Sequence, residues 1–154
     1  MVRIIEVDYD DPSQSADLIA MLDAYAKDPM GGGRPLPEEV KQRVISGLKA
    51  HPAACSFLAY LDDKPVGLVN CYLGFSTFAG RPLMNIHDLA VIPEARRMGI
   101  ARRLLDAVRD KARALGCCKL ALEVRDDNPA AQQLYRRYGF HDGGVPHRYW
   151  HLNV

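Results

Sequence analysis

The 154-residue chain has little of what marks a membrane, secreted or metal-holding protein. No apolar run approaches the ~18 residues that a bilayer-crossing helix needs. Arg3, Glu6 and Asp8 stand where a secretory leader would carry its apolar core, so a cytoplasmic protein without a membrane partner is expected. Cysteine is sparse: Cys55, Cys71, Cys117 and Cys118 form no C-x-x-C pair and have no histidine at ligand spacing. Reduced, mostly buried thiols and no metal site are the consequence. Charge of one sign is lacking too, since 20 Lys and Arg against 19 Asp and Glu leave a net charge of +1. That balance argues against a non-specific nucleic-acid binder. No linker or repeat divides the chain, which predicts a single domain over residues 1–154.

What is present is the composition of an ordinary globular protein, 48% apolar and 25% charged, organised around the stretch from Ile86 to Leu115. Ile86-His87-Asp88-Leu89-Ala90-Val91-Ile92 reads as a strand that Pro93 stops. After the turn, Ile100, Leu104, Leu105, Val108, Ala112 and Leu115 recur at helical spacing, and Gly116 closes the helix. The first amides of such a helix have no intrahelical partner and carry the positive end of its dipole. Gly99 permits close approach of a ligand to the backbone, while Arg96, Arg97, Arg102 and Arg103 add positive charge. The pattern calls for a diphosphate. It lacks the lysine and hydroxyl of a P-loop and the triple glycine of a dinucleotide fold, so nucleotide hydrolysis is not expected.

Around this centre, Val2 to Val7 predicts a first strand, and Asp11-Pro12 caps a helix carrying Leu18, Ile19, Leu22 and Tyr25 inward, ending near Asp28-Pro29. Met30 to Pro37, rich in glycine and proline, predicts a mobile loop without regular structure. Val40, Val44 and Leu48 mark a second helix stopped at His51-Pro52. Three antiparallel strands follow between Ala54 and Ile92, then the central helix, then a parallel strand over Lys119 to Val124. Asn128-Pro129 opens a last helix with Ala131, Leu134, Tyr135 and Tyr138 on one face, and strands at Phe140-His141 and Arg148 to Val154 are expected to finish the sheet. The order β-α-α-β-β-β-α-β-α-β-β predicts an α/β fold: a mixed, mostly antiparallel twisted sheet flanked by about four helices.

The run Arg96-x-x-Gly99-x-Ala101, directly after a strand ending Leu89-Ala90-Val91, resembles the acetyl-CoA motif of the GCN5-related N-acetyltransferase (GNAT) superfamily. Asn128 and Tyr135, seven positions apart and followed by Gly139-Phe140, resemble that superfamily's second signature. The resemblance is close from about Ala54 onward and topological before it. Gly80-Arg81-Pro82 and the Ile-x-Asp-Leu-x-Val strand look most like the diamine and polyamine acetyltransferase branch.

The resemblance implies acetyl-CoA as co-substrate, held by the turn of Arg96, Arg97, Gly99, Ile100 and Ala101, with its acyl arm against the amides of Leu89, Ala90 and Val91 where strands 4 and 5 splay apart. A backbone N–H near Leu89 faces the thioester oxygen as charge develops on it. Asn128 bonds the pantetheine arm, although its use as an N-cap accounts for it equally. Tyr135 protonates the departing thiolate, although its place on the helix stripe also suits packing. An alkylamine acceptor must lose a proton before it attacks, and His87 is the expected base. Asp88 replaces it if a bulge shifts the register. Tyr25, Asp28 and Met30, beside the first interhelical loop, are expected to receive an ammonium. The resulting expectation is a homodimeric acyltransferase that acetylates a small primary or polyamine-like amine in a ternary complex. The competing readings are acetylation of protein lysines or N-termini, and a silent acetyl-CoA-binding module.

Overall fold

The computed structural model describes residues 1–154, which divide into two units, Met1–Glu123 and Val124–Val154. The first holds β1 (Val2–Glu6), α1 (Pro12–Lys27), α2 (Glu38–Ala50), β2 (Ala54–Leu61), β3 (Lys64–Ser76), β4 (Arg81–Val91), α3 (Ile100–Ala114) and β5 (Leu120–Leu122). The second holds α4 (Pro129–Tyr138). Helix α1 starts as its sequence dictates: Asp11 accepts from Ser13 N and Gln14 N, and Pro12 occupies a first-turn position that needs no donor.

The five strands lie in the order β1-β2-β3-β4-β5. All neighbours are antiparallel except β4 and β5, which run parallel because α3 carries the chain between them. Asp62 and Asp63, with φ of 49° and 64°, make the tight β2–β3 turn, a conformation that short polar side chains tolerate. Leu18, Leu58, Tyr60 and Leu68 form the core on one face, with Leu22, Ile45 and Leu48 of α1 and α2 packed against them. Helix α3 covers the opposite face with Ile100, Leu104, Leu105, Val108 and Ala112 buried, the stripe read from the sequence, while Leu115 lies past the helix end and is exposed. Gly67 is required beneath it, because a Cβ there would stand 3.0 Å from Ala90 O and 3.3 Å from Leu104 Cδ1.

Two expectations are corrected. Pro29–Gly31 forms a short 3₁₀ turn that runs into the start of the loop expected over Met30 to Pro37. The following segment is anchored, since the buried Asp23 carboxylate accepts from Leu36 N at 2.8 Å and pairs with Lys27 and Lys41. The strands expected at Phe140-His141 and Arg148 to Val154 are not formed. Asp142 and its glycines hold a turn there, with Gly144 N on Asp142 Oδ1 at 2.8 Å. Pro146 withholds a donor, and Trp150 and Leu152 remain exposed without a strand partner.

Candidate active site

Strand β4 pairs with β5 over only three residues, Met84 to Ile86 against Leu120 to Leu122. Beyond Ile86 its β5-facing edge is open, while on the other side Asp88 to Val91 still pair with β3. Ile92 N donates to Val66 O of β3 at 2.9 Å. By the alternation of an antiparallel ladder, Ala90 also turns its amide to β3, and Leu89 and Val91 turn theirs to the open edge. The splayed edge thus offers two of the three amides, Leu89 to Val91, that the resemblance implies for the acyl arm. Val91 O, on the same edge, accepts from Arg96 Nε at 2.9 Å.

The turn into α3 is built on left-handed residues, Arg97 at φ 64° and Gly99 at φ 76°. Gly99 is the N-cap of α3 and supplies no side chain, so the amides of Ile100 and Ala101 have no capping acceptor. A Cβ added at Gly99 meets nothing within 4 Å. Open space, uncapped donors and the exposed Arg97, Arg102 and Arg103 together fit a diphosphate.

Arg96 does something else. Its Nη2 lies 2.6 Å from Asp28 Oδ2, and Asp28 Oδ1 accepts from Met30 N at 3.0 Å. The Arg96 bond first, then that from Met30, holds the Asp28 carboxyl below the usual aspartate range. Asp28 is therefore a latch between the α1 corner and the α3 turn. Because its folded value is lowered, the stabilisation is complete above the ordinary aspartate range near about 4 and fades as pH falls through the lowered value. Asp28→Asn is expected to lose about 1 kcal/mol in urea unfolding at pH 7, a modest figure because a half-exposed Arg96 is screened by solvent. Its loss on acidification should be smaller than the parent's, and equal acid sensitivity would remove the latch from the account.

Strand β4 carries a bulge. Asn70 pairs with Asp88 and Cys71 with Ile86, so His87 is the extra residue between them. The consequence is that Asp88, not His87, lines a groove of about 430 Å³ between the sheet and α2. Leu22, Val40, Val44 and Leu48 supply its apolar wall; Arg43, His51, Asn70, Tyr72 and Asp88 are polar. Asn70 Nδ2 donates to Asp88 Oδ2 at 3.0 Å. The Tyr72 ring meets His51 edge-on at 5.2 Å and His87 at 4.7 Å. Burial, then the Asp88 charge, pushes the Tyr72 phenol up.

His87 is exposed and lies outside the groove lining, as do Tyr25, Asp28 and Met30. Tyr25 instead packs against the core. Sequence reasoning missed Arg43, His51, Asn70 and Tyr72. Asn70 carried a usable signal, a single amide inside the apolar run Val66 to Leu73. Cys71 is no nucleophile, because its hydrogen bond with Cys55 and its burial push the thiol up.

In the second unit, Asn128 caps α4 by accepting from Ala131 N at 3.1 Å. Tyr135 is half-buried, its ring edge-on to Phe140 at 5.7 Å. No helix is long and apolar enough to cross a membrane.

Comparison with known proteins places this splayed pair and its uncapped glycine turn in a family. Residues 18–140 match the Acetyltransferase (GNAT) family, and the chain belongs to that family of acyltransferases. It is 29% identical over 130 residues to a thialysine N-epsilon-acetyltransferase of Caenorhabditis elegans, covering 80% of this chain and 75% of that one. To the N-alpha-acetyltransferase RimI of Mycobacterium tuberculosis it is 35% identical over 96 residues, 61% of this chain and 59% of that one. Its fold matches an aminoglycoside acetyltransferase from an uncultured soil metagenomic sample in complex with sisomicin, with a TM-score of 0.80 at 22% identity over 99% of this chain and 97% of that one. The family uses acetyl-CoA and transfers its acetyl group to an amine.

Proposed function

We propose that the chain is one N-acetyltransferase domain that acetylates a small primary amine, with the acceptor in the groove beside Asp88. Alkylamines, diamines and lysine-like amines are the class in view. The observation that carries this is the adjacency of Asp88 and Leu89: a groove-facing carboxylate and an amide on the open strand edge, one residue apart.

An ammonium entering the groove meets the Asp88 carboxylate and the face of Tyr72, both attractive to a cation. Asp88 takes the proton that the ammonium must shed before its lone pair can attack. Bound acetyl-CoA supplies the acetyl thioester. The Leu89 amide donates to the thioester oxygen as negative charge grows on it, a role that a fixed backbone dipole performs without reorganising. Arg97 and the amides of Ile100 and Ala101 hold the diphosphate, and Asn128 bonds the pantetheine arm. Tyr135 gives its hydroxyl proton to the leaving sulfur. No covalent acyl-enzyme is needed. The same reading takes the enzyme as a cytosolic homodimer working without metal, membrane or nucleic acid.

A panel of amines with acetyl-CoA, followed by thiol release, tests the proposal. Small alkylamines, diamines and lysine-like amines are expected to stimulate release well above the amine-free rate. Stimulation by peptide N-termini alone, or by no amine, would overturn it.

A further inference from the structure

Two polar residues lie where the sheet is otherwise apolar. Ser56 and Asn70, 1% and 3% exposed, stand on β2 and β3. They are directly opposite each other, and Asn70 is in turn opposite Asp88 on β4. Ser56 Oγ donates to Asn70 Oδ1 at 2.6 Å, and Asn70 Nδ2 to Asp88 Oδ2 at 3.0 Å. Tyr9, in the loop between β1 and α1, brings its hydroxyl to 2.7 Å from Ser56 Oγ. An unpaired buried hydroxyl or amide costs about 1–3 kcal/mol, a risk that an apolar pair at these positions would not carry. The row runs from the edge of the core to the groove and nowhere else.

Its polarity is determined from end to end. An ionised carboxylate only accepts, so the Asn70 NH₂ faces Asp88 and its oxygen faces Ser56. Ser56 has one hydrogen and gives it to Asn70, which leaves Tyr9 as donor to Ser56. Burial pushes the Tyr9 phenol up to about 12, so the row keeps its donor across the working range. A side-chain amide does not pass protons along, and the row is therefore no proton relay. It engages Oδ2 of Asp88 and leaves Oδ1 to the groove.

We propose that Tyr9, Ser56 and Asn70 are positioning residues, a hydrogen-bonded row across three strands that holds Asp88 with Oδ1 toward the acceptor nitrogen. The bulge at His87 makes such a hold necessary, because an irregular ladder does not by itself dictate where the next side chain points. The inference rests on Asp88 being the base. The other polar groups lining its groove are Arg43 of α2, His51 after α2 and Tyr72 of β3, and His87 is its strand neighbour. Asn70 is its hydrogen-bond partner.

The test is kcat and KM against pH for parent, Asp88→Asn, Asn70→Leu, Ser56→Ala, Ser56→Thr and Tyr9→Phe. A misplacement of about 1 Å in a reacting group can cost about 10²-fold. Asn70→Leu and Ser56→Ala should accordingly lower kcat by about 10- to 100-fold, leave KM for acetyl-CoA unchanged, and alter the pH profile as Asp88→Asn does. Ser56→Thr, which keeps the hydroxyl, should restore the parental profile. Tyr9→Phe conserves volume at the half-exposed end and keeps the test valid if the buried variants do not fold; the same change of profile is expected with a smaller fall in kcat. A parental profile in Asn70→Leu and Tyr9→Phe, with Asp88→Asn altered, overturns the positioning role and leaves the proposed function standing. A parental profile in Asp88→Asn itself overturns both.

Discussion

Asp88→Asn is expected to lower kcat/KM for an alkylamine by about 10²–10⁴-fold near pH 7, the range for loss of one proton acceptor. The shape of the pH profile is more telling than the drop. With a carboxylate to take the proton, the abundant ammonium form is productive, and kcat/KM should be nearly level between the carboxyl and amine ionisations. Without it only the scarce free amine reacts, so the rate should climb about tenfold per pH unit below the amine's pKa. His87→Ala is the informative control because His87 lies beside the groove without lining it. Tyr135→Phe keeps the ring and its packing on Phe140 but loses the hydroxyl, and should lower turnover by about 10²-fold with acetyl-CoA binding retained. A level profile in Asp88→Asn together with a steep one in His87→Ala would return the base to His87.

That reversal concerns the one point where the sequence held both answers. An unbroken strand period would set His87 and Asp88 on opposite faces, but a bulge breaks that period, and which of them meets the groove depends on a register shift between two strands. A bulge is a property of the pair, and no single strand spells it out. By contrast α3, its glycine turn and the strand before it were legible, because burial of one helix stripe and a positive φ both leave marks in a single segment. The groove wall was not. His51 read as a helix stop and Arg43 carried no signal of its own; both become groove residues only through the packing of α2 over the sheet. The pairing of Asp28 was hidden for a related reason: its partner Arg96 is distant in sequence, and the two meet only where α1 and the α3 turn come together. The expected closing strands illustrate the opposite error, since Arg148 to Val154 has strand-like composition while Gly143, Gly144 and Pro146 precede it without providing an edge to pair with.

The glycine turn supplies the other large effect. Gly99 holds φ 76°, and valine is disfavoured there by more than the about 1–2 kcal/mol that costs an ordinary L-residue. Its side chain would also enter the open space above the uncapped amides of α3. Relief of that strain swings the amides of Ile100 and Ala101 away from a bound diphosphate. Each charge-assisted hydrogen bond lost is worth about 1.5–3 kcal/mol, so losing two predicts acetyl-CoA binding weaker by about 10²-fold or more in calorimetry. Gly116→Val separates binding from strain, since Gly116 has φ 74° at the far end of the same helix and equally open surroundings. It should lose comparable stability and keep parental affinity. If Gly99→Val folds and binds acetyl-CoA as the parent does, the diphosphate is not held at this turn.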